Sequence, residues 1–382
     1  MIFAAFLALF NWYTARHIAD RWDAAQHHLA VFWLVAVLFF LLEMYWLASA
    51  LWFPHPDSRK PLARKLSDAL YYGSFMALGI FSCQFLYTFV GDTLNAVLTF
   101  TWPAAAAVLN TYNLPIICGM TAVTIIAGMV QAMPSLLRIS RVTVPLKNLP
   151  AAFEGFTIAQ ISDLHLSPTI KRDYAETVVR MANALKPDLM ALTGDFIDGT
   201  VDELRKDAAP LAKLSAPHGL WFVTGNHEYY WNAPSWIEAF KRLGIRTLMN
   251  EHELIRKGDD AIILAGVSDY STRKSERPDA SDPAKALLGA PQGLVKILLA
   301  HQPASYPAAR AAGFDLQLSG HTHAGQYFPY TLLIRFFQKY YKGLNNHEGM
   351  WVYVNTGTGY WGPPLRAGVP PEISLLTLVR AP

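Results

Sequence analysis

The chain has 382 residues, 52% apolar and 16% charged, with a formal net charge of +3 at pH 7. Soluble domains usually carry about 25% charged residues, so the composition argues against an ordinary cytosolic enzyme, and its 13% aromatic content excludes disorder. So small a net charge does not imply nucleic acid as the main partner, and two cysteines cannot build a disulfide framework or a Cys-rich zinc site.

The charge is uneven, with 13 charged side chains in residues 1–140 and 48 in residues 141–382. That division predicts a helical membrane region over 1–140 with about four spans, a linker over 141–153 and a soluble domain over 154–382. Three runs, 29–53, 69–90 and 108–137, reach the ~20 apolar residues that a spanning helix needs. A fourth, 1–15, is short; without a basic start or a cleavage site it reads as a retained first span rather than a signal peptide. Glu43 is expected to be neutral or to pair with a polar group on a neighbouring helix. Cys83 and Cys118 read as packing residues.

Lys and Arg in the short loops set the orientation. Arg59, Lys60, Arg64 and Lys65 share one loop, Arg138, Arg141 and Lys147 follow the last span, and residues 91–107 contain neither Lys nor Arg. The basic loop and the following domain are therefore expected in the cytoplasm, on the inner membrane. Arg16 and Arg21 fall on the other side, offset by Asp20 and Asp23.

Beyond residue 154 come short apolar runs, each closed by polar residues of one chemical kind. Residues 156–162 lead to Asp163 and His165, 188–193 to Gly194, Asp195 and Asp198, and 219–224 to Gly225, Asn226, His227 and Glu228. Residues 295–300 lead to His301, and 314–319 to Gly320, His321 and His323. The runs have the length and branched apolar content of buried strands. Helical stretches at 174–185, 202–214, 235–243 and 303–312 alternate with them, which argues an α/β layered domain. Ligands of such sheets gather at the carboxyl ends of the strands, so five strand ends bring Asp, His and Asn to one place.

Those residue types suit two divalent cations, which a shared carboxylate can screen while neutral imidazoles fill other positions. A set of N and O ligands without thiolate fits Mn, Fe, Zn, Ni or Co. Singly, each motif is ordinary turn chemistry; their joint order at strand ends carries the inference. His218, His252 and His347 lack such a context and read as loop or surface residues.

The series Asp163-x-His165, Gly194-Asp195-x-x-Asp198, Gly225-Asn226-His227-Glu228, His301 and Gly320-His321-x-His323 resembles the calcineurin-like metallophosphoesterase superfamily. The resemblance covers roughly residues 154–380 and implies a four-layer α/β/β/α sandwich with a dinuclear metal centre. Carried over, it implies that Asp163, His165, Asp195 and His323 hold one ion. Asp195, Asn226, His301 and His321 would hold the other, with Asp195 bridging. It also implies hydrolysis at phosphorus, with His227 serving the leaving oxygen and Asp198 orienting a neighbouring histidine. Glu228 stands where many members have Asp.

The tail, with Gly325-Gln326, Gly357-Thr-Gly359 and Arg366 to Leu378, together with the N-terminal spans, resembles the membrane-associated bacterial branch. Members of that branch are linked to hydrolysis of UDP-2,3-diacylglucosamine, so a lipid- or nucleotide-linked phosphate is the expected substrate. Residues 327–342 interleave aromatics with Arg335, Lys339 and Lys342, which suits an interfacial segment or equally a helix covering the sandwich. A phosphoprotein phosphatase or nuclease would use the same metal centre, and a scaffold with a dead site is the alternative outside catalysis. No dense basic run borders the motifs, which disfavours the nuclease.

Overall fold

The computed structural model describes residues 2–52 and 61–381, so Met1, Arg59 and Lys60 lie outside the described residues. It divides into two compact units, one of Met1–Val130 with Gly362–Ala367 and one of Gln131–Trp361 with Gly368–Pro382.

The first unit is helical: α1 (Ile2–Arg21), α2 (Asp23–His27), α3 (Leu29–Trp52), α4 (Pro61–Thr101) and α5 (Pro103–Gln131). Proline sits at the first helical position of α4 and of α5, where its missing N–H costs nothing. Among the described residues three helices, Leu29–Leu47, Leu62–Thr101 and Pro103–Gln131, are long and apolar enough to cross a membrane. Four were expected; α1 is not among the three because Arg16, Asp20 and Arg21 interrupt its apolar run. Its polar residues are paired instead. Asn11 donates to Glu43 Oε2 at 2.8 Å, and Tyr13 donates to Asp92 at 2.6 Å, while His17 and Arg21 face the same carboxylate. Polar groups away from water need such partners. Cys83 is buried in packing as expected, whereas Cys118 is exposed on α5.

Residues Gly362–Ala367 return to this helical unit, although the sequence places them in the soluble domain. Leu365 fills the notch left by Gly79 and Gly128, where an added Cβ would come within 2.9 and 3.0 Å of it. The Arg366 N–H donates to the Gly128 carbonyl at 2.9 Å.

The second unit runs β1 (Arg138–Leu146), β2 (Thr157–Ile161), α6 (Arg172–Ala184), β3 (Leu189–Leu192), α7 (Val201–Ala208), β4 (Leu220–Phe222), α8 (Asn226–Tyr230), α9 (Ala233–Arg242) and β5 (Arg246–Thr247). It continues with β6 (Glu251–Lys257), β7 (Asp260–Gly266), β8 (Lys296–Leu299), α10 (Tyr306–Ala312), β9 (Leu316–Ser319), α11 (Tyr330–Phe337), β10 (Gly343–His347), β11 (Met350–Val354) and β12 (Glu372–Arg380). Two six-stranded sheets form, in the orders β1-β12-β2-β3-β4-β5 and β10-β11-β9-β8-β7-β6.

Strand alternation explains the layering. On β8, Ile297 and Leu299 join Ile158, Ala191, Leu264 and Leu376 between the two sheets, while Leu298 turns outward to Ala309 of α10 and Phe314. On the far side of the first sheet, Ile161 and Leu192 pack under Val178 of α6, Leu204 of α7 and Trp236 of α9. The result is helix, sheet, sheet, helix. The five runs expected as strands are β2, β3, β4, β8 and β9. Residues 141–153, expected as a linker, instead hold most of β1, which pairs in parallel with β12 from Arg138 to Leu146. Its two arginines and half-exposed pattern hide an edge strand among linker-like residues.

Candidate metal centre

β2, β3 and β4 are parallel, as are β7, β8 and β9, so their carboxyl-end loops meet. Ligand-type atoms there form three sets, each within 4.8 Å: Asp163 with His165 and His323, His165 with Asp198 and His227, and Asp195 with His301 and His321. All are buried or half-buried. The Asp and His residues that the sequence pattern assigns to the site are thus brought to one place, and Asn226 adjoins it on α8.

The backbone at these positions is strained. Asp163, His165, Asp195, His321 and His323 have φ of 54°, 51°, 54°, 69° and 48°, a left-handed region that side chains avoid at a cost of about 1–3 kcal/mol each. Interlocked hydrogen bonds hold them there. The His321 N–H donates to both oxygens of Asp163 at 3.0 and 3.1 Å, the His165 N–H to the Asp195 carbonyl at 3.1 Å, and the His227 N–H to Asp195 Oδ1 at 2.9 Å. Gly225 permits the close approach of the third and fourth strand ends, since a Cβ there would run into the Asp195 carboxylate.

His301 and His165 each have one nitrogen committed and the other aimed inward. His301 Nδ1 donates to the Thr193 carbonyl at 2.8 Å, leaving Nε2 at 3.0 Å from Asp195 Oδ2. His165 Nδ1 donates to Asp198 Oδ2 at 3.0 Å, leaving Nε2 at 3.2 Å from His323 Nε2. His323 Nε2 also lies 3.3 Å from Asp163 Oδ1, and His321 Nδ1 lies 3.3 Å from His301 Nε2. Ligands ~2.1 Å from one ion sit roughly 3.0–3.4 Å apart, so both facing pairs of imidazoles have the spacing of co-ligands. Asn226 donates its amide to Tyr230 at 3.2 Å, and its buried Oδ1 has no hydrogen-bond partner. That orphaned carbonyl oxygen, the N/O donor set and the imidazole spacing all fit divalent cations.

Electrostatics follow from this crowding. Burial would raise the Asp163 pKa, but the imidazoles of His323 and His301 hold it well below the usual carboxylate range. Burial likewise opposes ionisation of Asp198, and His227 and His165 overcome it. Burial disfavours a charged His227, yet the carboxylates of Asp198 and Asp195 lift its pKa to about 9. Its Nδ1 is in very short contact with Asp198 Oδ1, and its Nε2 lies 3.9 Å from Asp195 Oδ2.

Glu228 has a structural task that sequence reasoning missed. It accepts the N–H groups of Asp195, Phe196 and Gly225 at 3.0, 2.8 and 2.6 Å, and burial with the nearby Asp195 charge pushes its pKa up to about 7. Its place three residues after Gly225, at the start of α8, was the available signal. His252 and His347 are engaged elsewhere, with the Ala286 carbonyl and the Tyr340 hydroxyl.

Residues 156–325 match the calcineurin-like phosphoesterase family. Over 321 residues the chain is 35% identical to a Danio rerio "transmembrane protein with metallophosphoesterase domain", covering 81% of this chain and 73% of that one. A Bos taurus protein of the same description is 39% identical over 255 residues, 64% of this chain and 57% of its own. An "uncharacterized metallophosphoesterase" of Helicobacter pylori (strain J99) is 38% identical over 225 residues, 58% of this chain and 59% of its own. This chain therefore spans under two thirds of the length of the latter two relatives.

Proposed function

This chain belongs to the calcineurin-like phosphoesterase family, and from that premise we propose that it is a membrane-anchored hydrolase of lipid-linked phosphodiesters or pyrophosphates. It is a metal-dependent phosphoesterase with candidate membrane spans and a cluster of side chains that could hold metal. In this proposal Asp163, His165, Asp195 and His323 hold one divalent cation. Asp195, Asn226, His301 and His321 hold the second, so Asp195 is shared. When bound, the cations would polarise the phosphoryl oxygens and lower the pKa of the attacking water. His227, with Nδ1 fixed by Asp198, offers Nε2 to protonate the leaving oxygen.

The observation that carries the lipid-linked substrate is α11. This helix begins soon after His323, none of its residues is buried, and Phe336 and Phe337 are 77% and 79% exposed. A helix covering the sandwich would bury its aromatic face; this one leaves it out, beside Arg335. Exposed aromatics with interleaved basic residues suit the headgroup layer, and the chain carries its own candidate spans to keep a bilayer near. The orientation proposed from the basic loops puts the metal centre on the cytoplasmic side of the inner membrane.

The test sets a lipid-linked pyrophosphate, UDP-2,3-diacylglucosamine, beside the water-soluble diester bis(4-nitrophenyl) phosphate. Replacing Phe336 and Phe337 with Ser in the full chain should depress turnover of the lipid substrate selectively. Equal losses on both would remove α11 from substrate delivery, and a C-terminal reporter active only outside the cytoplasm would overturn the orientation.

A further inference from the structure

Two aromatic rings lie against His227, and hydrolysis as described uses neither. The Tyr230 ring centroid lies 5.1 Å from the imidazole, tilted by 61°. The Trp361 centroid lies 5.7 Å away, tilted by 75°. Both rings remain open to solvent, Tyr230 at 67% and Trp361 at 43% exposure.

Gln326 holds the backbone of Trp361. Its side-chain oxygen accepts the Trp361 N–H at 2.9 Å, and its side-chain amide donates to the Trp361 carbonyl at 2.9 Å. An amide thus clamps both backbone polar groups of a residue 35 positions away. Gln326 is itself buried and has φ of 59°, three residues past His323. Left-handed backbone at a non-glycine residue is costly and is retained where surrounding structure over-determines it. Here the strained turn that leaves the metal ligands also holds the Trp361 backbone, from which the indole reaches His227.

We propose that Trp361 and Tyr230 form the leaving-group subsite, and that it takes an organic leaving group with a flat or ring-shaped face. The inference rests on the reading that His227 serves the leaving oxygen, because whatever departs must then pass the rings around that imidazole. A π-face next to the departing oxygen stacks on rings and gives nothing to a compact inorganic or short alkyl group. Trp361 is the specificity residue, and Gln326 is a positioning residue acting through it.

The experiment uses the full metal-loaded chain and two water-soluble diesters, bis(4-nitrophenyl) phosphate and 4-nitrophenyl ethyl phosphate, together with the ethyl ester bond of the latter as the alkyl-leaving reaction. Selectivity is the ratio of kcat/KM for nitrophenolate release to that for ethanol release. In Trp361→Ala this ratio should fall about tenfold, the size of one lost aromatic contact. Trp361→Phe should restore most of it, and Gln326→Ala should shift it in the same direction as Trp361→Ala. An unchanged ratio in Trp361→Ala, or no rescue by Phe, overturns the subsite while leaving the phosphohydrolase reading intact. Failure of the wild-type chain to release either group overturns that reading first, and the subsite with it.

Discussion

Glu228 accepts the backbone N–H of Asp195 at 3.0 Å, so the strained residue at the centre of the site hangs from a buried carboxylate. The same side chain holds Phe196 and Gly225, tying the ends of β3 and β4 together. Leaving a buried N–H unsatisfied costs about 1–3 kcal/mol. Glu228→Ala strands three of them and should destabilise the full chain by roughly 3 kcal/mol or more. Glu228→Gln keeps one acceptor oxygen and should cost less. Denaturation in detergent, with metal content measured alongside, checks both; a near-neutral Ala variant with full metal content would contradict the role.

Asp195 faces His301 at 3.0 Å and His165 at 4.0 Å through one oxygen, Oδ2. A neutral amide there cannot screen two cations, so Asp195→Asn should lose bound metal and turnover together. Elemental analysis of the purified variant decides it. Two tightly held ions with near wild-type hydrolysis would defeat the shared-ligand assignment.

His227 should behave differently, because it holds a proton rather than an ion in this reading. His227→Ala is expected to keep its metals and slow hydrolysis by ~10²–10⁴-fold, the contribution of a positioned acid–base group. The loss should shrink with a nitrophenyl leaving group, which needs no proton. Equal losses for good and poor leaving groups would remove it from the acid role.

Asp198 divides its two oxygens between His165, at 3.0 Å, and His227. Its removal should therefore combine two defects that the His227 variant separates. Asp198→Ala is expected to weaken metal binding about 10–100-fold, as loss of a carboxylate behind a ligand histidine does, and to reproduce the leaving-group dependence of His227→Ala. Competitive chelator titration measures the first and a leaving-group series the second. Metal affinity at the wild-type level would show that His165 needs no carboxylate to orient it.

The metal centre was legible because strand and ligand are adjacent in the chain: an apolar run such as 156–162 ends directly at Asp163 and His165. What escaped depends on partners far apart in sequence. Gln326 and Trp361 meet only after α11 and the β10–β11 hairpin fold between them. β10, Gly-Leu-Asn-Asn-His, is an edge strand with no buried residue and no apolar signature. α4 runs past its apolar stretch at both ends, since Leu, Ala, Arg and Lys before it and Asn, Ala, Val and Leu after it are compatible with helix and the next proline is Pro103.

The reassignment of β1 changes where the catalytic unit can be cut. Read as a linker, residues 141–153 would be dispensable, and a chain beginning at Leu149 would fold. In the structure β1 pairs along all nine residues with β12, and Val144 and Leu146 are buried between the sheets. Burying such a side chain contributes about 1.5–3 kcal/mol, so losing both removes roughly 3–6 kcal/mol, on the scale of a whole domain's stability. It also leaves one edge of β12 unpaired, a template for aggregation. A chain beginning at Met133 retains β1 and should be markedly more soluble, with a higher denaturant midpoint, than one beginning at Leu149. Leu365→Ser in both chains limits the exposed apolar surface of the 362–367 loop once the helices are absent. Soluble yield and urea unfolding compare the pair directly. Indistinguishable midpoints would mean that β1 contributes nothing to the sandwich, and that the linker reading was the better one.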